Sequence, residues 1–361
     1  MTNAVKNRVT TPERKATPLV INGDMNIAQR GTTVTGLGDG DEGYVTVDRF
    51  RHTAAASSGR FTSKQTAVDD LDGFQNCLEL DCTTADTSIA ATELLQIDCR
   101  LEGQDMQHFK KGETNAEYIT VAFYAKADAA VAYACELHDI DNSRHISKLF
   151  TTGTDWTHHV LSFPGDTTGN FGDDANESLR ISLILHAGSN FTEGTLASSW
   201  ASYNDANSAP GIGSFYASTD RSLKITGFQV EAGDYNATTI PPFQYESNGV
   251  NLDRCQRYFY KTFDQGTTPA QNVSDGNYLL AVGTDTGSRS HGSIEFPVAM
   301  RADPTITTFN PFAANASGRQ PNSSTDVAFQ ATTPREHSCG CSFTNTSVGS
   351  YHIHLTAAAE L

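Results

Sequence analysis

The chain has 361 residues, 38% of them hydrophobic, and carries 42 acidic against 25 basic side chains for a formal net charge of -17. That length sustains two or three domains with apolar cores of their own. Such acidity repels phosphate backbones, and no basic stripe with interleaved aromatics offsets it, which excludes nucleic acid as a partner. No segment is apolar for long enough to make a membrane helix, so no membrane insertion is expected. Residues 1–10 lack the apolar centre of a secretory signal, so the protein is expected to start in a cytoplasm. Seven scattered cysteines differ from the dense, even sets of small disulfide-stapled domains, and most are expected to be reduced and buried.

Residues 1–18 are polar, mixed in charge and interrupted by Pro12 and Pro18, which reads as a flexible N-terminal arm or as a frayed end. From Leu19 the pattern turns to strands. Tyr118–Tyr124, Val131–Leu137, Trp156–Phe163, Leu179–His186 and Leu223–Glu231 alternate and are rich in β-branched and aromatic residues, with Gly, Asp and Asn clusters between them. A short helix is expected over Gln104–Lys110, closed by Gly112. Gly188–Thr219 reads as one long loop carrying Phe191, Trp200, Tyr203, Phe215 and Tyr216. Leu252, Cys255, Phe259 and Phe263 recur at helical spacing and predict a linking helix over 247–263. After it, Tyr278–Val282, Gly292–Phe296, Thr305–Phe309, Thr325–Ala331, Cys341–Thr346 and Tyr351–Thr356 alternate again. The pattern predicts an all-β protein of two sandwiches, one over 19–246 and a second over 264–361, and the lack of a repeat period argues against a β-helix.

Asn22-Gly23-Asp24, Gln29-Arg30-Gly31, Asp48-Arg49-Phe50, the stretch from Val230 to Ser247, Cys255–Lys261, Phe296–Thr305 and Thr356–Leu361 follow one another as in bacteriophage tail-fibre proteins, which this chain resembles over nearly everything after residue 18. Val20–Asn26, Tyr118–Asp128, Gly153–Pro164 and Lys224–Asp234 are similar to jelly-roll carbohydrate-binding modules as they occur in such fibres. The resemblance implies an N-terminal jelly roll, a C-terminal β-sandwich and a homotrimer. It also implies a place on the virion surface, assembled in the bacterial host cytoplasm, with the N-terminal arm docking on other virion proteins.

The same resemblance implies host-surface glycan recognition. Sugars stack their C–H faces on aromatic rings, so Phe191, Trp200, Tyr203, Phe215 and Tyr216 are the candidate carbohydrate-binding residues, with packing back onto the protein as the alternative. No cofactor is required. A structural calcium, implied by related modules, would draw on Asp24 and Glu231, although Asp24 could equally be a turn residue. His352 and His354, two apart on a strand, point to one face and could hold a transition metal around a trimer axis, with His337, Cys339 and Cys341 nearby, or be ordinary surface histidines. No nucleophile elbow, HExxH, phosphate loop or dinucleotide fingerprint is present, so no enzyme is expected. The function expected is glycan recognition by a tail fibre or adhesin; the alternatives are a capsid decoration or head-fibre protein and, behind these, a glycan-degrading enzyme.

Overall fold

The computed structural model describes residues 17–361 apart from 284–286, 288, 322, 323, 345, 347 and 348. The arm expected over 1–18 lies outside the described residues except for its last two. Thirteen strands form the first module: β1 (Thr33–Leu37), β2 (Glu42–Tyr44), β3 (Phe50–Ala55), β4 (Arg60–Ala67), β5 (Asn76–Thr84), β6 (Leu94–Glu102), β7 (Ile119–Ala127), β8 (Ala132–Asp139), β9 (Arg144–Thr151), β10 (Thr157–Phe163), β11 (Glu177–Ala187), β12 (Ala201–Ser202) and β13 (Ser222–Ala232). They make two antiparallel sheets, one of six strands in the order β1-β4-β5-β13-β7-β10 and one of seven in the order β12-β9-β8-β11-β6-β3-β2. Strand β3 shows why the chain adopts this form: Phe50, His52 and Ala54 are buried and alternate with half-buried Arg51, Thr53 and Ala55. The sheets face each other across rings that interdigitate. Phe123 stacks on Phe228 at 5.5 Å, and Phe50 and Phe150 approach them edge-on at 5.6 and 5.1 Å. This is the β-sandwich expected for the first module.

Two helical expectations need correction. Gln104–Lys110 forms no α-helix but two successive 3-10 turns, Gly103–Asp105 and Gln107–Phe109, closed by Lys110 at φ 52°. Met106 and Phe109 both reach the core from this short connection, and seven residues give too little length to repay helix nucleation. The long loop is also partly ordered, holding helix α1 (Ser189–Thr192), strand β12 and 3-10 turns at Asp205–Asn207 and Phe215–Ala217.

Helix α2 (Asn248–Gln256) starts where Ser247 Oγ accepts from the Val250 amide, and ends well before residue 263. The chain is extended again at β14 (Phe259–Lys261), so the linking helix expected over 247–263 is shorter and its last residues are sheet. The reason is tertiary: β14 pairs with the last strand, β22, placing Phe259 opposite Ala358 and Lys261 opposite Thr356. The second module comprises β14, β15 (Tyr278–Gly283), β16 (Arg289–Glu295), β17 (Thr305–Phe309), β18 (Gly318–Gln320), β19 (Thr325–Val327), β20 (Phe329–Arg335), β21 (Ser338–Thr344) and β22 (Gly349–Ala358). It therefore includes residues before the expected boundary at 264. Strand β22 is its spine, pairing with β14, β15, β17 and β18, and a three-stranded sheet, β16-β21-β20, completes it. Ile294, Met300, Cys339, Cys341, Ile353 and Leu355 form its core. All seven cysteines are unpaired and buried, and burial pushes the Cys77 and Cys99 thiols up to about 12, which keeps them unreactive.

The two modules meet at a dense polar junction. Arg49, 3% exposed, places one guanidinium nitrogen 2.5 Å from Glu360 Oε2 and lies 3.5 Å over the Tyr258 ring. Arg30 reaches Glu360 Oε1 at 2.8 Å and covers the Phe259 ring at 3.7 Å. Arg257 forks onto Glu102 at 2.8 and 3.1 Å, Tyr258 donates its hydroxyl to the same carboxylate, and Gln29 Nε2 donates to the Phe259 carbonyl at 2.8 Å. Gly23 belongs to the same corner: a Cβ there would lie 2.1 Å from the Phe228 carbonyl oxygen, so only glycine permits this approach. Residues of several motifs singled out in the sequence, Gln29–Arg30, Asp48–Arg49, Arg257–Phe259 and Glu360, thus hold one module against the other.

Removing Glu360 should strand a buried cation. Glu360→Ala is expected to lower unfolding free energy by about 3–5 kcal/mol, read from urea midpoints, and a loss under 1 kcal/mol would refute the clamp. Burial pushes the Asp48 carboxyl up to about 6 against the pull of Arg30. Because this folded value exceeds the unfolded one, its contribution is complete below about pH 4 and fades as pH rises through 6. The stability difference between wild type and Asp48→Asn should therefore favour wild type most in acid and shrink toward pH 8.

Candidate functional site: the outer face of the seven-stranded sheet

Strand alternation that buries Ile97, Cys99, Ile181, Leu183 and Leu137 turns the residues between them outward on the other side of the seven-stranded sheet. The register then assembles polar rows across five strands. Arg51 lies opposite Asp98, Asp98 opposite Ser182, Ser182 opposite Glu136 and Glu136 opposite Ser147. A second row runs Arg100, Arg180, His138, His145. The segment between β11 and β13 folds over one end and contributes Phe191, Tyr203, Asp205 and Ser208, and Glu42 of β2 closes the other. With Arg51, Arg100, Arg180, Ser182, Glu136 and His138 of the two rows they line a groove of about 420 Å³. Four strand spacings of about 4.8 Å make the face roughly 19 Å across.

The groove is held stiff by its own charges. Arg100 and Arg180 are like charges directly across strands, an arrangement that repels unless bridged. Glu177 bridges them, taking Arg180 Nε at 2.7 Å and an Arg100 guanidinium nitrogen at 3.2 Å. Arg51 pairs with Glu42 at 2.6 Å and donates to Thr53. Asp98 lies wholly buried in the floor, accepting from Ser182 Oγ at 2.8 Å with Arg100 at 3.4 Å; burial raises its carboxyl, opposed by Arg180 and Arg100. Glu136 takes His145 Nδ1 at 2.8 Å. The Tyr203 ring stacks on His138 with centroids 3.9 Å apart and planes within 3°, and its hydroxyl donates to Asp205 Oδ1 at 2.7 Å. Burial lowers the His138 imidazole, so this stack is uncharged at neutral pH. The result is a rigid row of alternating donors and acceptors ending at aromatic rings.

Of the five rings expected to meet sugar, Phe191 and Tyr203 line the groove. Trp200 does not: it packs on the core and donates Nε1 to the Pro164 carbonyl at 2.7 Å. Phe215 and Tyr216 are completely buried, because their 3-10 turn, capped by Ser214, folds inward against β5 and β11. They are core residues and not ligand rings. The arginine and acid rows were missed. Their signal was present in the period-two polar and charged residues of β6, Gln96, Asp98, Arg100 and Glu102, a strand absent from the sequence expectation.

The expected metal residues do not fit a metal. Both Asp24 oxygens face amide donors, Asn26 Nδ2 at 2.6 Å and Asn251 Nδ2 at 3.1 Å, the reverse of what a hard cation requires. Glu231 lies on β13 opposite Thr120, and burial raises its carboxyl, as it does that of Asp24. His352 and His354 do sit two apart on β22. His354 is fully buried, stacked on Phe263 at 3.8 Å with Nδ1 on Thr262 Oγ1, so it faces no neighbouring subunit; the two His352 nitrogens face Asn277 and Ser350. Cys339 and Cys341 are in the core of the second module. Among the described residues no group of three or more His, Cys, Asp or Glu side chains is placed to hold a metal ion.

No protein-family model matches the sequence, and no curated protein matches it. Solved structures do. The enzymatically active domain of a tailspike protein of bacteriophage CBA120 shares 9% identity over 60% of this chain and 21% of its own, with a TM-score of 0.31, so this chain spans about a fifth of its length. A CBM4 structure matches at 11% identity over 59% of this chain and 99% of its own, TM-score 0.31. The family 11 carbohydrate-binding module of a Clostridium thermocellum cellulosomal cellulase matches at 11% over 56% and 96%, TM-score 0.28. Scores this low leave the function to be read from the residues themselves.

The assignment of rings to core or groove has a direct check. Phe215→Ala and Tyr216→Ala should each cost about 3–5 kcal/mol in denaturant unfolding, as buried aromatic truncations do. Tyr203→Ala should cost well under half as much, and equal costs for all three would refute the division.

Proposed function

We propose that this protein is a non-enzymatic bacteriophage virion component, a tail fibre or adhesin, whose seven-stranded sheet presents a groove to host-surface glycan. The carrying observation is the groove itself. Cross-strand rows of guanidinium, carboxylate, hydroxyl and imidazole groups lie in fixed register beside Tyr203 and Phe191. Sugar hydroxyls need paired donors and acceptors, and pre-paired side chains lose little freedom on meeting them. A binding role is favoured over a hydrolytic one because the groove carboxylates are engaged: Glu42 with Arg51, Asp98 with Ser182, Glu177 with Arg180, Glu136 with His145 and Asp205 with Tyr203. A general acid and its partner would have to be freed from those bonds first.

The virion assignment, the homotrimer and docking through the N-terminal arm are supported by the resemblance of the sequence motifs to phage fibre proteins. Three grooves on one particle tip would raise avidity without a tight single site. Wild-type protein is expected to bind a subset of a polysaccharide array with dissociation constants of about 10 µM to 1 mM, and Tyr203→Ala and Arg180→Ala to weaken that binding at least about tenfold while unfolding normally. Full binding by both variants would place the glycan elsewhere, and release of reducing ends from a bound polysaccharide would replace the binding role with an enzymatic one.

A further inference from the structure

The arginines of the groove suggest an acidic sugar at first sight, but their partners reverse that reading. Each guanidinium is committed inside the protein: Arg51 to Glu42, Arg100 to Asp98 and Glu177, Arg180 to Glu177. Two further carboxylates, Glu136 and Asp205, line the same groove with only imidazole and phenol for partners. Three cations thus stand against five acids, of which Glu42, Glu136 and Asp205 line the groove and Asp98 and Glu177 pair with its arginines from within the sheet. With Asp98 protonated, the direction its burial drives it, the acids still outnumber the cations. The surrounding field has the same sign, since the whole chain carries a formal charge of -17.

Resting on the glycan reading above, we infer that the groove selects neutral over carboxylated glycans, and that Glu42 and Asp205 at its two rims enforce the choice. Glu42, 53% exposed, occupies the Arg51 guanidinium from the solvent side, where the carboxylate of an incoming uronic or sialic acid would otherwise fork onto it. Asp205, exposed at the other end, sets an anion beside the Tyr203 ring on which a sugar would stack. An acidic residue would either displace one internal carboxylate or take only the outer edge of a guanidinium, and in both cases would face the remaining carboxylates, a repulsive element that discriminates as specificity requires. A hydroxyl-bearing neutral sugar can instead accept from the free edges of the guanidinium groups and donate to the carboxylates without breaking any pair.

The test sets the full chain against neutral polysaccharides (laminarin, galactan, xylan, mannan) and acidic ones (polygalacturonate, alginate, hyaluronan), and repeats it with Glu42→Gln combined with Asp205→Asn. Wild type should retain one or more neutral polymers and none of the acidic ones. In the double variant the ratio of acidic to neutral affinity should rise at least about tenfold, the scale of one charge-assisted hydrogen bond. Preference of wild type for an acidic polymer, or an unchanged ratio in a double variant whose thermal unfolding matches wild type, would overturn the filter and leave the groove as the glycan site. Retention of no polymer of either class would bring down the glycan reading and the filter with it.

Discussion

Everything else in the molecule is positioned by buried guanidinium groups at the seam between the modules. Arg49 and Arg30 share the Glu360 carboxylate, and Tyr258 with the half-buried Arg257 holds the buried Glu102. Desolvated cations of this kind tolerate little rearrangement, because any motion that separates them from their carboxylates leaves charge in a low-dielectric interior. The aromatic faces of Tyr258 and Phe259 complete their surroundings. The segment expected as a linking helix is therefore a fixed joint, part helix and part strand, and the second module is held in one orientation to the first.

That rigidity bears on the groove. Glu102, the carboxylate that anchors Arg257 and Tyr258, is the last residue of β6, the strand that also carries Gln96, Asp98 and Arg100 on its outward face. Arg100 lies opposite Arg180 in the groove, while its neighbour Leu101 is buried in the core. One strand thus joins the seam, the core and the recognition face, and its register fixes all three together. The groove charges are themselves arranged as closed pairs, so little reorganisation is needed on binding, the condition under which weak polar contacts count.

Much of the fold was legible in the sequence because the controlling signals are local. Alternation in Tyr118–Tyr124 and Leu179–His186 marked strands found in the structure as β7 and β11. The helical spacing of Leu252, Cys255, Phe259 and Phe263 failed for the opposite reason. Phe259 and Lys261 are drawn into a sheet by β22, a partner nearly a hundred residues away, and pairing outweighs local periodicity. The site was half legible. Phe191 and Tyr203 were found from composition, whereas Phe215 and Tyr216, in the same segment and of the same chemistry, face inward.

The sequence by itself determined an acidic all-β chain with reduced, buried cysteines and no catalytic motif, because charge, strand periodicity and motif spacing are properties of short stretches. It also singled out, in Arg30, Arg49 and Cys255–Lys261, motifs on which its resemblance to fibre proteins rests. Only the tertiary structure decided that these residues clamp two modules, which side of the seven-stranded sheet is covered by its partner sheet, and which rings remain at the surface. The physical reason is that alternation sorts the residues of one strand onto two faces but says nothing of its neighbours, and charges from five separate strands become a single groove only when register sets them side by side.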